Sequence, residues 1–193
     1  MHGVKRERIL RVLMDEPDGT LTKYRTAKLS KTAKSWVIDY LRKLEKEMLV
    51  KGTKVLDKEA LLDHWFSISQ KPRHYDFFVQ SPKEFLRKQD MDYALTTYMA
   101  ENQFNNYLFP SRTDLYIKEE DLSRWKDKIS EIGLVGKGNL RLLIYDEHTM
   151  YNKKKINDLW FASIPQVLID LRREGGVCKE AYDMMVKKYV RRN

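Results

Sequence analysis

Gly19-Thr20-Leu21-Thr22-Lys23-Tyr24-Arg25-Thr26-Ala27-Lys28-Leu29-Ser30-Lys31-Thr32-Ala33-Lys34-Ser35-Trp36-Val37-Ile38 is the stretch on which the fold turns. Lys23, Arg25, Lys28, Lys31 and Lys34 fall inside it, and no acid does; the flanking acids are Asp18 and Asp39. Thr22 is a suitable N-cap for a short helix reaching Lys28, because its hydroxyl can accept from a free backbone N–H of the first turn. A longer helix is expected from Ala33 to Glu47. Its apolar residues Val37, Leu41, Leu44 and Met48 recur at helical spacing and form one stripe, widened by Trp36 and Tyr40.

Working outward, Lys5–Met14 reads as a preceding helix. Ile9, Leu10 and Leu13 lie on one face, with Arg6, Arg8 and Arg11 expected in solvent. Pro17, Asp18 and Gly19 stop it. After the long helix, Leu49 to Leu56 reads as a short β wing, with Gly52 available for its turn. Three helices and a ribbon are the order of a winged helix-turn-helix. In that fold the second helix, the turn and the start of the third face DNA. The basic window therefore coincides with the surface expected to dock. Lys34, Ser35 and Ile38 are placed near base edges, and Lys31 and Arg42 near phosphates, with Lys23, Arg25 and Lys28 alongside. Lys51 and Lys54 on the wing reach the backbone or minor groove. A solvated basic face, or a winged helix that binds protein, is the competing reading.

The whole chain has 193 residues and a formal charge of +9, which favours a polyanionic partner through counterion release. Cys178 is the sole cysteine, and the four histidines show no ligand spacing, so no metal or other cofactor is expected. No apolar run approaches the roughly 18 residues of a membrane span. Residues 1–11 lack a signal peptide's apolar stretch, and a cytoplasmic protein is the expectation.

A boundary is expected between Asp57 and Pro72, with Lys58–Trp65 a connecting helix. This assigns residues 1–66 to the DNA-binding domain and 72–193 to an α+β domain. In the latter, helices are expected over Pro82–Lys88, Ala94–Phe104, Glu119–Ile132, Pro165–Arg172 and Lys179–Val190. Strands are expected over Asp114–Ile117 and Leu140–Tyr145, and a glycine-punctuated loop over Gly133–Gly138. Lys153-Lys154-Lys155 reads as an exposed loop, solvated or touching DNA or an acidic partner. Asp170, beside Arg172 and Arg173, is expected to serve structure by capping or ion pairing.

Tyr93-Ala94-Leu95-Thr96-Thr97-Tyr98-Met99-Ala100, with Asp114-Leu115-Tyr116-Ile117, forms one stretch of interest. Ile164-Pro165-Gln166-Val167-Leu168-Ile169-Asp170-Leu171, with Gly175-Gly176 and Glu180-Ala181, forms another. This succession resembles the AbiEi-like family of transcriptional regulators and type IV antitoxins. The resemblance implies an autorepressor acting as a homodimer or pairwise on operator repeats, and a neighbouring toxin of the nucleotidyltransferase type. A C-terminal domain that neutralises a partner protein is an alternative.

A metal-dependent nuclease is the enzymatic rival, with Asp114 or Asp146-Glu147 as its carboxylates. The strand signature of acid, any residue, lysine is missing from the chain. Gly133-Leu134-Val135-Gly136-Lys137-Gly138 lacks the spacing and hydroxyl of a phosphate-binding loop, and no nucleophile elbow is present. Cys178 has no nearby histidine and reads as a small packing residue.

Overall fold

The computed structural model describes residues 2–190, which divide into two compact units. The first unit opens with α1 (His2–Asp15), α2 (Lys23–Leu29) and α3 (Lys34–Lys46). A hairpin of β1 (Val50–Lys51) and β2 (Lys54–Val55) follows, then α4 (Lys58–Ile68). Ile9, Leu10, Leu13, Val37, Leu41, Leu44, Leu61 and Trp65 are buried together as its core. Thr22 caps α2 as expected, its hydroxyl accepting from the Arg25 N–H at 3.1 Å.

α2 and α3 end in the same way. At the end of α2, the Thr32 N–H donates to the Ala27 carbonyl and the Lys31 N–H to that of Lys28. At the end of α3, Leu49 N–H reaches Leu44 and Met48 N–H reaches Glu45. These paired bonds define Schellman caps, which need a left-handed residue at the first position past the cap. Lys31 (φ 51°) and Met48 (φ 57°) supply it without being glycine. The turn at Met48 ends the apolar stripe one residue earlier than its spacing predicts, and Met48 is 72% exposed.

The hairpin is tied down from several directions. The Gly52 N–H donates to the Glu45 carboxylate at 2.7 Å, and the Thr53 hydroxyl to the Leu21 carbonyl at 2.6 Å. Asp18 forms an antiparallel bridge to Lys54, so the link between α1 and α2 adds a third, minimal strand. Gly19 is required there: its φ is +79°, and a Cβ would lie 2.7 Å from that of Lys54. Arg11 departs from expectation. It is fully buried in α1, its guanidinium over the Trp65 ring, whose indole N–H donates to Glu7 at 3.2 Å. Stacking on a buried aromatic lets the long side chain turn inward.

The second unit runs from Lys71 to Met184. Its strands are β3 (Arg73–Val79), β4 (Tyr93–Thr96), β5 (Thr113–Ile117), β6 (Gly133–Val135), β7 (Leu140–Ile144), β8 (Lys154–Ile156) and β9 (Leu159–Phe161). They form one mixed sheet ordered β6-β3-β7-β5-β4-β9-β8, with β5–β7 and β4–β9 parallel. The helices are α5 (Pro82–Arg87), α6 (Thr97–Phe104), α7 (Leu122–Ser130), α8 (Ile164–Glu174) and the first part of α9 (Val177–Tyr189). This is an α+β fold. On one face Trp125 of α7 packs edge-on against Phe85 of α5 and Tyr93 of β4. On the other face lie α6 and α8.

Four expectations need correction. Ala94–Phe104 is not one helix: Tyr93–Thr96 is a buried strand, and the helix starts at Thr97, whose φ is +45°. Burial on both faces made the strand a continuous run that its neighbour's helical period absorbed. Gly133–Val135 is a strand rather than loop; Gly133 is needed because a Cβ would lie 2.3 Å from the Phe78 carbonyl oxygen. Lys153 is no solvated loop lysine. It pairs with Asp92, donates to the Tyr93 carbonyl at 3.2 Å and lies over Trp160, while Lys154 and Lys155 sit on β8. Finally, residues 185–190 group with the first unit. Val190 is buried there and borders Asp18, Lys54 and Val55. Among the described residues no helix is long and apolar enough to cross a membrane.

Candidate nucleic-acid interface and a charged cavity

The predicted contact residues divide by exposure. Arg25 and Lys28 on α2, Lys31 in the turn, Lys34, Ser35 and Arg42 on α3, and Lys51 and Lys54 on the hairpin are exposed. Lys23 and Ile38 are half-buried. On α3, Lys34, Ser35, Ile38 and Arg42 fall within about a quarter of the helix circumference. Val37, Leu41 and Leu44 occupy the buried side. Arg42 lies 3.6 Å from Asp39, both strongly exposed, a pairing too weak to withhold Arg42 from another anion.

The helix starts carry an electrostatic cost. Neither α2 nor α3 has an acid in its first turn, and each opens on a lysine, Lys23 and Lys34. A cation at the positive end of a helix is unfavourable by a few tenths to about 1 kcal/mol. At α3 no side chain caps the free N–H groups, since Ala33 holds the N-cap position. An incoming anion would reverse both terms.

Two aromatics belong beside this window. Tyr24, between Lys23 and Arg25, is 66% exposed and was not among the sequence candidates. Its signal was an aromatic embedded in an acid-free basic run. Trp36, expected in the core, is half-buried with the Lys5 ammonium 5.3 Å from its ring centre.

The second unit holds a different constellation. Register places Asp76 of β3, Arg141 of β7, Asp114 of β5 and Thr96 of β4 side by side on one face of the sheet. Arg141 grips Asp76 with Nε at 2.6 Å and Nη2 at 3.0 Å. This holds the Asp76 carboxyl below its ordinary range. Arg112 grips Asp114 through Nε at 2.5 Å and Nη2 at 2.8 Å, and Nη2 also reaches Glu174 at 2.9 Å. Burial alone would depress Arg112, but its two carboxylates outweigh this and raise it further. Asp114 accepts a short hydrogen bond from the Thr97 hydroxyl as well.

Asp170, from α8, descends onto the same face. It accepts from Thr96 at 2.6 Å, Tyr116 at 2.7 Å, Gln166 at 3.0 Å and Arg173 at 2.7 Å. Its expected structural role therefore has a geometry. Around it lies a cavity of about 250 Å³ bordered by Thr97, Arg112, Asp114, Tyr116, Arg141 and Arg173. The carboxylates are engaged by cations and hydroxyls, with Arg112, Arg141 and Arg173 set against Asp76, Asp114, Asp170 and Glu174. Among the described residues no group of three or more His, Cys, Asp or Glu is arranged to hold a metal ion. Cys178 is buried, which pushes its thiol up to about 11 and leaves little thiolate for nucleophilic work at neutral pH.

No family model, no curated protein and no solved structure matches this chain.

Proposed function

We propose that the protein is a transcriptional regulator that binds double-stranded DNA through a winged helix-turn-helix formed by its first unit. The observation that carries this is the acid-free window from Gly19 to Ile38, whose Arg25, Lys28, Lys31 and Lys34 are all exposed. Both helices in the window open on lysine, an arrangement that favours phosphate over an empty surface. The element order supports the winged helix: three helices, then a hairpin joined by the Asp18 bridge as a third strand. Lys51 and Lys54 flank the hairpin's two-residue turn and are exposed.

In this reading Lys34, Ser35 and Ile38 approach base edges, while Arg25, Lys28, Lys31 and Arg42 hold phosphates. The resemblance to AbiEi-like antitoxins extends the proposal to autorepression and a nucleotidyltransferase-type toxin encoded nearby. The nuclease alternative finds less support, because Asp114 is committed to Arg112 and Thr97. Mobility shift of the DNA upstream of the gene tests the reading. A specific shift is expected, and Lys34→Ala should weaken it more than Lys54→Ala.

A further inference from the structure

The two edges of the seven-stranded sheet are treated differently. β8 exposes Lys154 and Lys155, a usual protection against strand addition. β6, at the other edge, presents Gly133-Leu134-Val135, with Leu134 70% and Val135 81% exposed. Phe78, the register partner of Leu134 on β3, is 49% exposed on the same sheet face. An apolar stripe thus runs to the very edge.

Backbone alternation fixes what that edge offers. The Gly136 N–H donates to the Asp76 carbonyl at 3.0 Å, so Gly136 and Leu134 direct their backbone groups to β3. Gly133 and Val135 then direct theirs outward. A second copy of the strand, antiparallel and centred on Leu134, sets Gly133 opposite the partner's Val135. Both residues of that pair point their backbone groups across the junction, so each pair exchanges two hydrogen bonds. Leu134 meets Leu134, extending the Phe78–Leu134 stripe across the two-fold axis. Val135 lies over a glycine, which leaves it room.

Charge selects this register over its neighbours. The chain enters β6 from Glu131, which closes α7 in helical geometry, and leaves it through Gly136 to Lys137. An antiparallel copy centred on Leu134 therefore sets the acidic entry of one strand beside the basic exit of the other, twice by symmetry. Both side chains are exposed. Sliding the pairing by two residues, the smallest step that preserves the hydrogen bonds, draws each acidic entry away from the partner's basic exit.

We infer that β6 is a homodimerisation edge, joining two copies into one continuous sheet about a two-fold axis at Leu134. Sedimentation equilibrium on the full chain, without DNA, tests this, so its failure leaves the DNA-binding reading standing. A concentration-dependent monomer–dimer equilibrium is expected. Leu134→Asp should raise the dissociation constant by about tenfold or more, a loss of about 1.4 kcal/mol. Glu131→Lys should weaken the dimer, and adding Lys137→Glu should restore it. Because these two positions are exposed, the charge exchange tests the register even if Leu134→Asp folds poorly. A wild-type chain that stays monomeric at every concentration overturns the inference. A dimer indifferent to the charge exchange overturns it as well.

Discussion

Lys31 holds a left-handed conformation that a lysine adopts at a cost of about 1–2 kcal/mol, at a place where a helix cap ordinarily uses glycine. The Lys31 side chain is exposed at the turn, where the proposed phosphate contact lies. Lys31→Gly separates the two roles. Chemical denaturation should show stability raised by about 1 kcal/mol, while titration with DNA should show weaker binding. If affinity is unchanged, Lys31 does not touch phosphate. Asp170 is the opposite kind of residue, a buried carboxylate with four hydrogen-bond donors around it. Asp170→Ala removes the acceptor shared by Thr96, Tyr116, Gln166 and Arg173 and should cost about 3–5 kcal/mol, read from denaturant unfolding. A loss below about 1 kcal/mol would show that the network contributes little. Neither role was equally visible beforehand. Lys31 announced itself by its basic neighbours. Asp170 showed only its local arginines, whereas Thr96 and Tyr116 lie far away in sequence.

At the scale of elements, legibility followed periodicity. α1, α2, α3, α4 and α5 were readable because amphipathic spacing, a Thr22 cap and Pro82 punctuate them. The hairpin was readable from Gly52. β4 was hidden because Tyr93-Ala94-Leu95-Thr96 is buried throughout and runs straight into α6 with no turn residue. β6 was hidden behind its glycines, and the Asp76–Arg141–Asp114 row exists only once β3, β7 and β5 are in register. That row gives the sheet a pH response. Arg141 lowers the Asp76 carboxyl, so the folded state holds fewer protons there than the unfolded chain. The resulting stability is present above the ordinary aspartate value, about 3.9. It is lost as pH falls through the lowered folded value. Arg141→Gln should destabilise the protein at neutral pH and flatten the acid limb of its stability profile, measured by urea unfolding at a series of pH values. An acid limb as steep as that of the wild type would assign the acid response to other carboxylates.

At the scale of the molecule, the net charge of +9 is least informative as a total and most informative in its placement. Five cations without an acid lie between Gly19 and Ile38, while Arg112, Arg141 and Arg173 of the second unit are met by Asp76, Asp114, Asp170 and Glu174. In the proposed function DNA attraction belongs to the first unit, and in the inferred dimer the contact belongs to the edge of the second. Fluorescence anisotropy with a labelled duplex from upstream of the gene, titrated across salt concentrations, tests the central claim most directly. Binding should weaken linearly on logarithmic axes as salt rises, and Lys28→Ala should reduce the slope by about 1 with little change in sequence preference. Lys34→Ala should instead narrow the gap between the upstream duplex and a random one. No binding to any duplex at low salt would contradict the account.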